Sequence, residues 1–269
     1  MFEHGDILHK CHIKIVIVYM STPPTNSKII GGEVTTIENY PYGVVMLISH
    51  TTIIYSLGCG GSIITSRVVL TAAHCFLFVL NFSVFLGVKL EHVLRVLFNT
   101  AQIILHPSFG RVTFDNDVAV IRVSGTIVYT NSVAPVSIAN YNLNDNEPVW
   151  AIGWGRTSTN RDGYVWTINQ QICANRYSAI RAVTANMLCS GWLDVGGRDQ
   201  CQADSGGPLL HISGGSTAVV GICSWGRDCG SPVYPGVNTR VSRYTSWITS
   251  NNPKFHKQQS NNKLKYESI

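Results

Sequence analysis

Within CQADSGGPLL (residues 201–210), Ser205 stands between Asp204 and the pair Gly206-Gly207. Flanking glycines favour a sharp turn, a setting that can lift a hydroxyl clear of the chain. A serine hydroxyl is a weak nucleophile at its own pKa. A reactive Ser205 therefore needs a base to take its proton and a carboxylate to hold that base in one tautomer. His74 in LTAAHC (70–75) is the base on offer, and Asp117 in DNDVAVIRV (115–123) is the carboxylate. Taken singly each has an ordinary reading: a serine in a glycine turn, a structural histidine, a turn aspartate. Only together do they amount to acyl-transfer chemistry.

The elements that must position these residues read as strands. Short apolar runs at 42–49, 84–88, 101–105, 118–123, 149–154 and 219–225 are separated by Gly, Pro, Asn and Ser. That spacing predicts an all-β fold of antiparallel sandwich or barrel type. Helical periodicity is expected only near the end, where Val241, Tyr244, Trp247 and Ile248 predict a helix over 241–250 packed on the core. Beyond Pro253 the chain is rich in Asn and Lys, and a disordered tail is expected over 254–269.

Composition narrows the class. The chain has 269 residues, 45% of them hydrophobic and 13% charged, which suits a globular protein with a large core. No apolar run approaches the ~20 residues needed to span a bilayer, and no membrane partner is expected. Of the net charge of +5, the tail and the first 28 residues hold most, so no basic face for nucleic acid is expected. The basic residues between them are twelve Arg and one Lys, Lys89. This bias fits an alkaline working environment, in which Arg keeps its charge, as well as it fits compositional drift.

The eight cysteines, Cys11, Cys59, Cys75, Cys173, Cys189, Cys201, Cys223 and Cys229, include no CxxC pair and lack zinc-site spacing. Long-range disulfides, and hence an oxidising secretory route, are expected, with the pairing left open. Residues 1–28 read as a weak signal peptide and a propeptide, with Lys10 and Lys14 ahead of a short apolar stretch. Asn81-Phe82-Ser83 matches the glycosylation acceptor pattern.

His74, Asp117 and Ser205 run in the order His…Asp…Ser, unlike the triads of subtilisin-like enzymes and α/β-hydrolases. With IIGG, TAAHC, DNDVAVI, GWG, DSGGP and SWG, the chain resembles the trypsin/chymotrypsin family of serine peptidases, most closely the secreted insect trypsins. The resemblance runs over residues 29–252. It implies two antiparallel Greek-key β-barrels within a 29–253 peptidase domain, with the active site between them. It implies that His74 is the general base, Asp117 its orienter and Ser205 the nucleophile, and that the backbone N–H groups of Ala203 and Ser205 form the oxyanion hole. Asp199 would sit at the floor of the specificity pocket, with Gly226 and Gly236 as its walls, selecting Arg or Lys. Ser224, Trp225 and Gly226 would bind the substrate backbone. Cleavage after Lys28 would free the amino group of Ile29 to pair with Asp204. The implied disulfides are Cys59–Cys75, Cys173–Cys189 and Cys201–Cys229. Implied partners are peptide substrates, an activating trypsin-like protease and protein inhibitors of a monomer, without cofactor or metal.

Four features depart from the family pattern. Cys223 has no implied partner and is expected as a small buried residue. No calcium-loop carboxylates match near residues 84–95. The chain reaches YVWTINQQIC soon after GWGRTS, which predicts a missing part of a second-barrel strand and imperfect closure there. Ala203 stands where the family has Gly before DSGGP. Asp115 falls outside the triad position and is expected as a turn residue. The reading is a digestive endopeptidase cutting after Arg or Lys, set against a catalytically impaired homologue that binds peptides or inhibitors.

Overall fold

The computed structural model describes residues 14–18, 35–49, 55–77, 84–85, 95–153, 164–199 and 204–252. The chain folds as two antiparallel barrels, in line with the two-barrel expectation. The first uses β1 (Lys14–Val18), β2 (Gly43–Ser49), β3 (Tyr55–Thr65), β4 (Val68–Thr71), β5 (Val84–Phe85), β6 (Arg95–Leu105) and β7 (Ala119–Val123). These run β1-β6-β7-β4-β3-β2, and β2 returns to β1 through Val16 opposite Val45, which closes the ring; β5 adds to β2. β1 comes from the segment ahead of Lys28, where the sequence predicts a leader and propeptide. Its sequence, KIVIV, has the β-branched composition that suits a strand filling the gap between two sheet edges.

The second barrel uses β8 (Ser137–Ile138), β9 (Pro148–Ala151), β10 (Tyr164–Ile168), β11 (Met187–Gly191), β12 (Pro208–Ser213), β13 (Ser216–Trp225) and β14 (Gly236–Arg240). They run β12-β9-β10-β11-β14-β13, and β13 pairs back with β12 from Ile222 opposite Pro208 to Ser216 opposite Ser213. The expected weakness in closure is not seen. Although short, β10 pairs with β9 from Tyr164 to Trp166 and with β11 from Trp166 to Ile168. Residues 154–163, where the chain is shortened, lie outside the described residues.

Packing explains which side chains make these strands. All four residues of β4 are buried, and on β7 only Arg122 is partly exposed. Arg122 donates through Nε and Nη2 to the carbonyl of Asn251 at 3.0 and 2.8 Å, which caps the terminal helix onto the first barrel. One core cluster joins the barrels, combining Val69, Leu70 and Ile121 with Leu210, Val219 and Ile222.

Two helical details differ from the sequence reading. Helix α1 (Gln170–Tyr177) was not expected because it is polar, with only Cys173 and Tyr177 buried. Its start is set by Asn169, whose side chain accepts from the N–H groups of Gln171 and Ile172. The expected helix over 241–250 is split into a 3-10 turn (Val241–Arg243) and α2 (Thr245–Ser250). The break is at Tyr244, whose ring packs on His106 and whose hydroxyl reaches Asn116. Val241, Tyr244 and Ile248 are buried, as their spacing implied.

Candidate active site

His74 lies in the 3-10 turn Ala73–Phe76 that follows β4, and Asp117 lies just ahead of β7, so two adjacent strands of the first barrel present them together. Asp117 is wholly buried. Its Oδ1 accepts the His74 backbone N–H at 2.7 Å, and its Oδ2 lies 2.7 Å from His74 Nδ1. A carboxylate only accepts, so Nδ1 carries a proton and Nε2 is the ring nitrogen left to act as a base. The second barrel also holds this carboxyl group. Ser224 Oγ on β13 donates to Oδ2 at 2.5 Å, and Thr239 Oγ1 on β14 donates to the Asp117 carbonyl at 2.6 Å.

Ser205 occupies the turn that leads into β12. Its carbonyl accepts from Gly60 N–H at 2.7 Å, and Gly206 N–H donates to the Cys223 carbonyl at 2.8 Å. Gly206 has φ +77°, and a Cβ there would run into the Thr71 side chain and lie 2.7 Å from the Gly60 carbonyl. Glycine is therefore required immediately after Ser205. The disulfide Cys59–Cys75 ties β3, beside Gly60, to the turn that carries His74. Ser205 and His74 are thus anchored at one place in the fold. Cys59, His74 and Cys75 bring potential ligand atoms within 4.8 Å of one another, but the sulfurs are bonded to each other and offer no thiolate.

Gly226 and Gly236 face each other, and a Cβ on Gly226 would lie 3.9 Å from Gly236 Cα. A Cβ on Gly236 would come within 2.5 Å of Asp199 Oδ1, so the missing side chain leaves room for that carboxylate. Asp199 is 4% exposed, and its Oδ2 accepts from Gly230 N–H at 3.3 Å. Trp225 packs edge-on against Tyr177, ring centres 4.8 Å apart. Asp204 is 1% exposed, and a Cβ on Gly153 would strike its carboxylate.

Cys223 is a free, buried cysteine at the back of this assembly. Burial, followed by the charges of Asp204, Asp199 and Asp117, pushes its thiol pKa well up, so it stays neutral. The Cys173–Cys189 disulfide forms, and Cys229 is disulfide-bonded. Lys28, Ile29, Cys201 and Ala203 lie outside the described residues, as do Asn81 and the tail from Pro253.

The turn ahead of Asp117 makes contacts that its local sequence does not reveal. Asp115 is more than a turn residue. Its carboxylate accepts from Thr184 Oγ1 at 2.7 Å and from Asn186 Nδ2 at 3.1 and 3.3 Å, linking the first barrel to a loop of the second. Asn116 donates to the Ser108 carbonyl at 3.0 Å and accepts from Tyr244. Phe114 sets its ring 5.4 Å from that of His74. The only local signal is the polar run DND, because the partners of Asp115 are about seventy residues away.

The sequence profile of the family described as Trypsin matches residues 29–248. Trypsin CFT-1 of Choristoneura fumiferana is 48% identical over 241 residues, covering 85% of this chain and 93% of that protein. Trypsin, alkaline C, of Manduca sexta is 46% identical over 86% of this chain and 93% of that protein. Achelase-1 of Lonomia achelous is 45% identical over 83% of this chain and its own full length.

Replacing Asp115 with Ala leaves the donors of Thr184 and Asn186 without their acceptor. Hydrogen bonds to a charged group contribute roughly 1.5–3 kcal/mol, so Asp115→Ala should lower the unfolding free energy by about that much. Asp115→Asn keeps one acceptor oxygen and should lose less. Chemical denaturation of the three proteins checks this, and equal midpoints for all of them would refute the bridging role.

Proposed function

Because the chain belongs to the trypsin family of serine peptidases, we propose that it is a secreted endopeptidase, made as a zymogen, that hydrolyses peptide bonds after Arg or Lys in a gut lumen. The observation that carries this reading is the buried Asp199 carboxylate, which takes the room a Cβ on Gly236 would need and which we take as the floor of a slot walled by Gly226 and Gly236. A long cationic side chain fits such a slot and pairs with the buried charge. An apolar one would leave that charge desolvated and alone.

In this reading Ser205 Oγ attacks the substrate carbonyl carbon while His74 Nε2 takes the hydroxyl proton. Asp117 keeps the ring in the required tautomer and stabilises the imidazolium that forms. The oxyanion is held by the N–H groups of Ser205 and Ala203. His74 returns its proton to the leaving amine, and water then hydrolyses the acyl-enzyme by the same steps. Ser224, Trp225 and Gly226 hold the substrate backbone alongside. Protein inhibitors that mimic such a substrate are natural partners, and the protease acts as a monomer.

Secretion is supported by the disulfides, which persist in oxidising compartments. Among the described residues no helix is long and apolar enough to cross a membrane. An alkaline lumen is supported by the preference for Arg over Lys and by the alkaline trypsin among the relatives. Zymogen activation is supported by Lys28-Ile29 and by the buried Asp204, a partner for a new amino-terminal cation.

The specificity is tested with Asp199→Ser. This variant should lose kcat/KM on Arg peptides by at least tenfold more than on Phe or Leu peptides, since only the cation loses its partner. Equal losses on all substrates would make Asp199 a structural residue and overturn the Arg/Lys assignment.

Activation is tested by comparing the intact chain with chain cut after Lys28. Activity should appear only after the cut, with Ile29 found as the new terminus by amino-terminal sequencing. The cut also severs β1, which pairs with β2 and β6, from the chain that follows Lys28. Full activity of the intact chain would rule the zymogen out.

Ala203 favours a second reading, a sluggish enzyme that still binds substrate. The family's glycine at this position suits a positive φ, where an alanine Cβ costs about 1–2 kcal/mol. Turning the peptide relieves the strain and loses an oxyanion donor, which typically costs about 10²–10³ in kcat. Ala203→Gly should therefore raise kcat sharply and leave KM nearly unchanged. If kcat of the activated protein stays the same, Ala203 is no handicap.

A further inference from the structure

Arg181 follows α1 and is held by its backbone N–H, which donates to the Tyr177 carbonyl at 3.0 Å. Its guanidinium carbon lies 4.5 Å from the ring centre of Phe114 and 4.8 Å from that of Trp225. One cation is thus shared by two aromatic faces. Phe114 in turn packs on His74, and Trp225 belongs to the segment assigned above to the substrate backbone. The described ion pairs are His74–Asp117, Arg176–Asp194 and Arg227–Asp228, and Arg181 belongs to none of them. The residue is half-buried. Its planar faces are covered, and among the described residues no carboxylate forms an ion pair with it.

We infer that Arg181, clasped between Phe114 and Trp225, makes the cleft prefer an acidic side chain in the substrate two or three residues ahead of the one that fills the Asp199 slot. The inference rests on the cleavage reading above and adds a second, opposite charge to it. An extended peptide rises about 3.3 Å per residue and turns alternate side chains to the same side. With its basic residue in the slot and its backbone along residues 224–226, the residues further from the cut pass over Trp225. A carboxylate there meets a cation partly shielded from water, where attraction exceeds that of a fully exposed pair. An ammonium there meets a like charge. The favoured substrate therefore carries an acid followed, two or three residues later, by the Arg or Lys at which it is cut.

The test is a set of peptides that all end the acyl side in Arg and carry Glu, Ala or Lys at the two upstream positions. The peptides are hydrolysed by the activated protein, by Arg181→Gln and by Arg181→Glu. The native protein should favour Glu over Lys by about threefold to tenfold in kcat/KM, with the ratio shrinking as salt is raised. Arg181→Gln should bring the ratio near one, and Arg181→Glu should invert it. Cleavage of all three peptides at equal rates by the native protein, or a ratio that survives in Arg181→Gln, overturns the inference and leaves the Arg/Lys assignment standing. If no peptide in the set is cut, that assignment fails and the inference falls with it.

Discussion

The arrangement depends on one desolvated carboxylate. Asp117 has no access to water, and an ionised group in that position is tolerated only if the protein replaces its hydration. It does so from two sides. His74 supplies a backbone N–H and a ring N–H from the first barrel, and Ser224 supplies a hydroxyl from the second. Neither barrel satisfies the group alone. Docking of the barrels and orientation of the imidazole are therefore the same event.

Two further acids are buried nearby, and each relies on an absence of side chain. Asp199 fits because Gly236 has no Cβ, and Asp204 fits because Gly153 has none. Cys223 feels all three charges, and its thiol is kept neutral by burial first and by those acids next. At this point a small, neutral, polarisable residue fits better than anything that could ionise. Three buried acids thus concentrate negative charge around Cys223.

What could be read from the sequence was local. His74, Asp117 and Ser205 each sit in a short motif, and the strands near 42–49, 118–123 and 219–225 follow from apolar runs bounded by turn residues. What could not be read was carried by distant partners or by weak patterns. Helix α1 has a nearly polar surface, so its periodicity is faint and its start depends on one asparagine cap. The break at Tyr244 is imposed by contacts to His106 and Asn116, more than a hundred residues earlier. β1 looks in sequence like the apolar part of a leader, because a short β-branched run serves either role. Asp115 and Arg181 have no local motif, and their roles exist only once the two barrels are in contact.

These distant contacts converge on the turn at residues 114–117. Phe114 and Asn116 both take left-handed backbone conformations, with φ +57° and +55°. Asparagine tolerates this region, whereas phenylalanine pays about 1–2 kcal/mol to enter it. The turn is held regardless. Phe114 N–H donates to the Gly110 carbonyl at 2.7 Å, and Gly110 N–H donates to the Asp115 carbonyl at 2.9 Å, while the side chains of Asp115 and Asn116 tie it to Thr184, Asn186 and Tyr244. Three consecutive tasks then share one rigid piece of backbone. Phe114 packs beside His74 and Arg181, Asp115 clasps the second barrel, and Asp117 orients the imidazole. A strained turn persists where its surroundings over-determine it. Here the surroundings are the two barrels themselves, so whatever loosens their contact reaches the imidazole and the Phe114–Arg181 pair together.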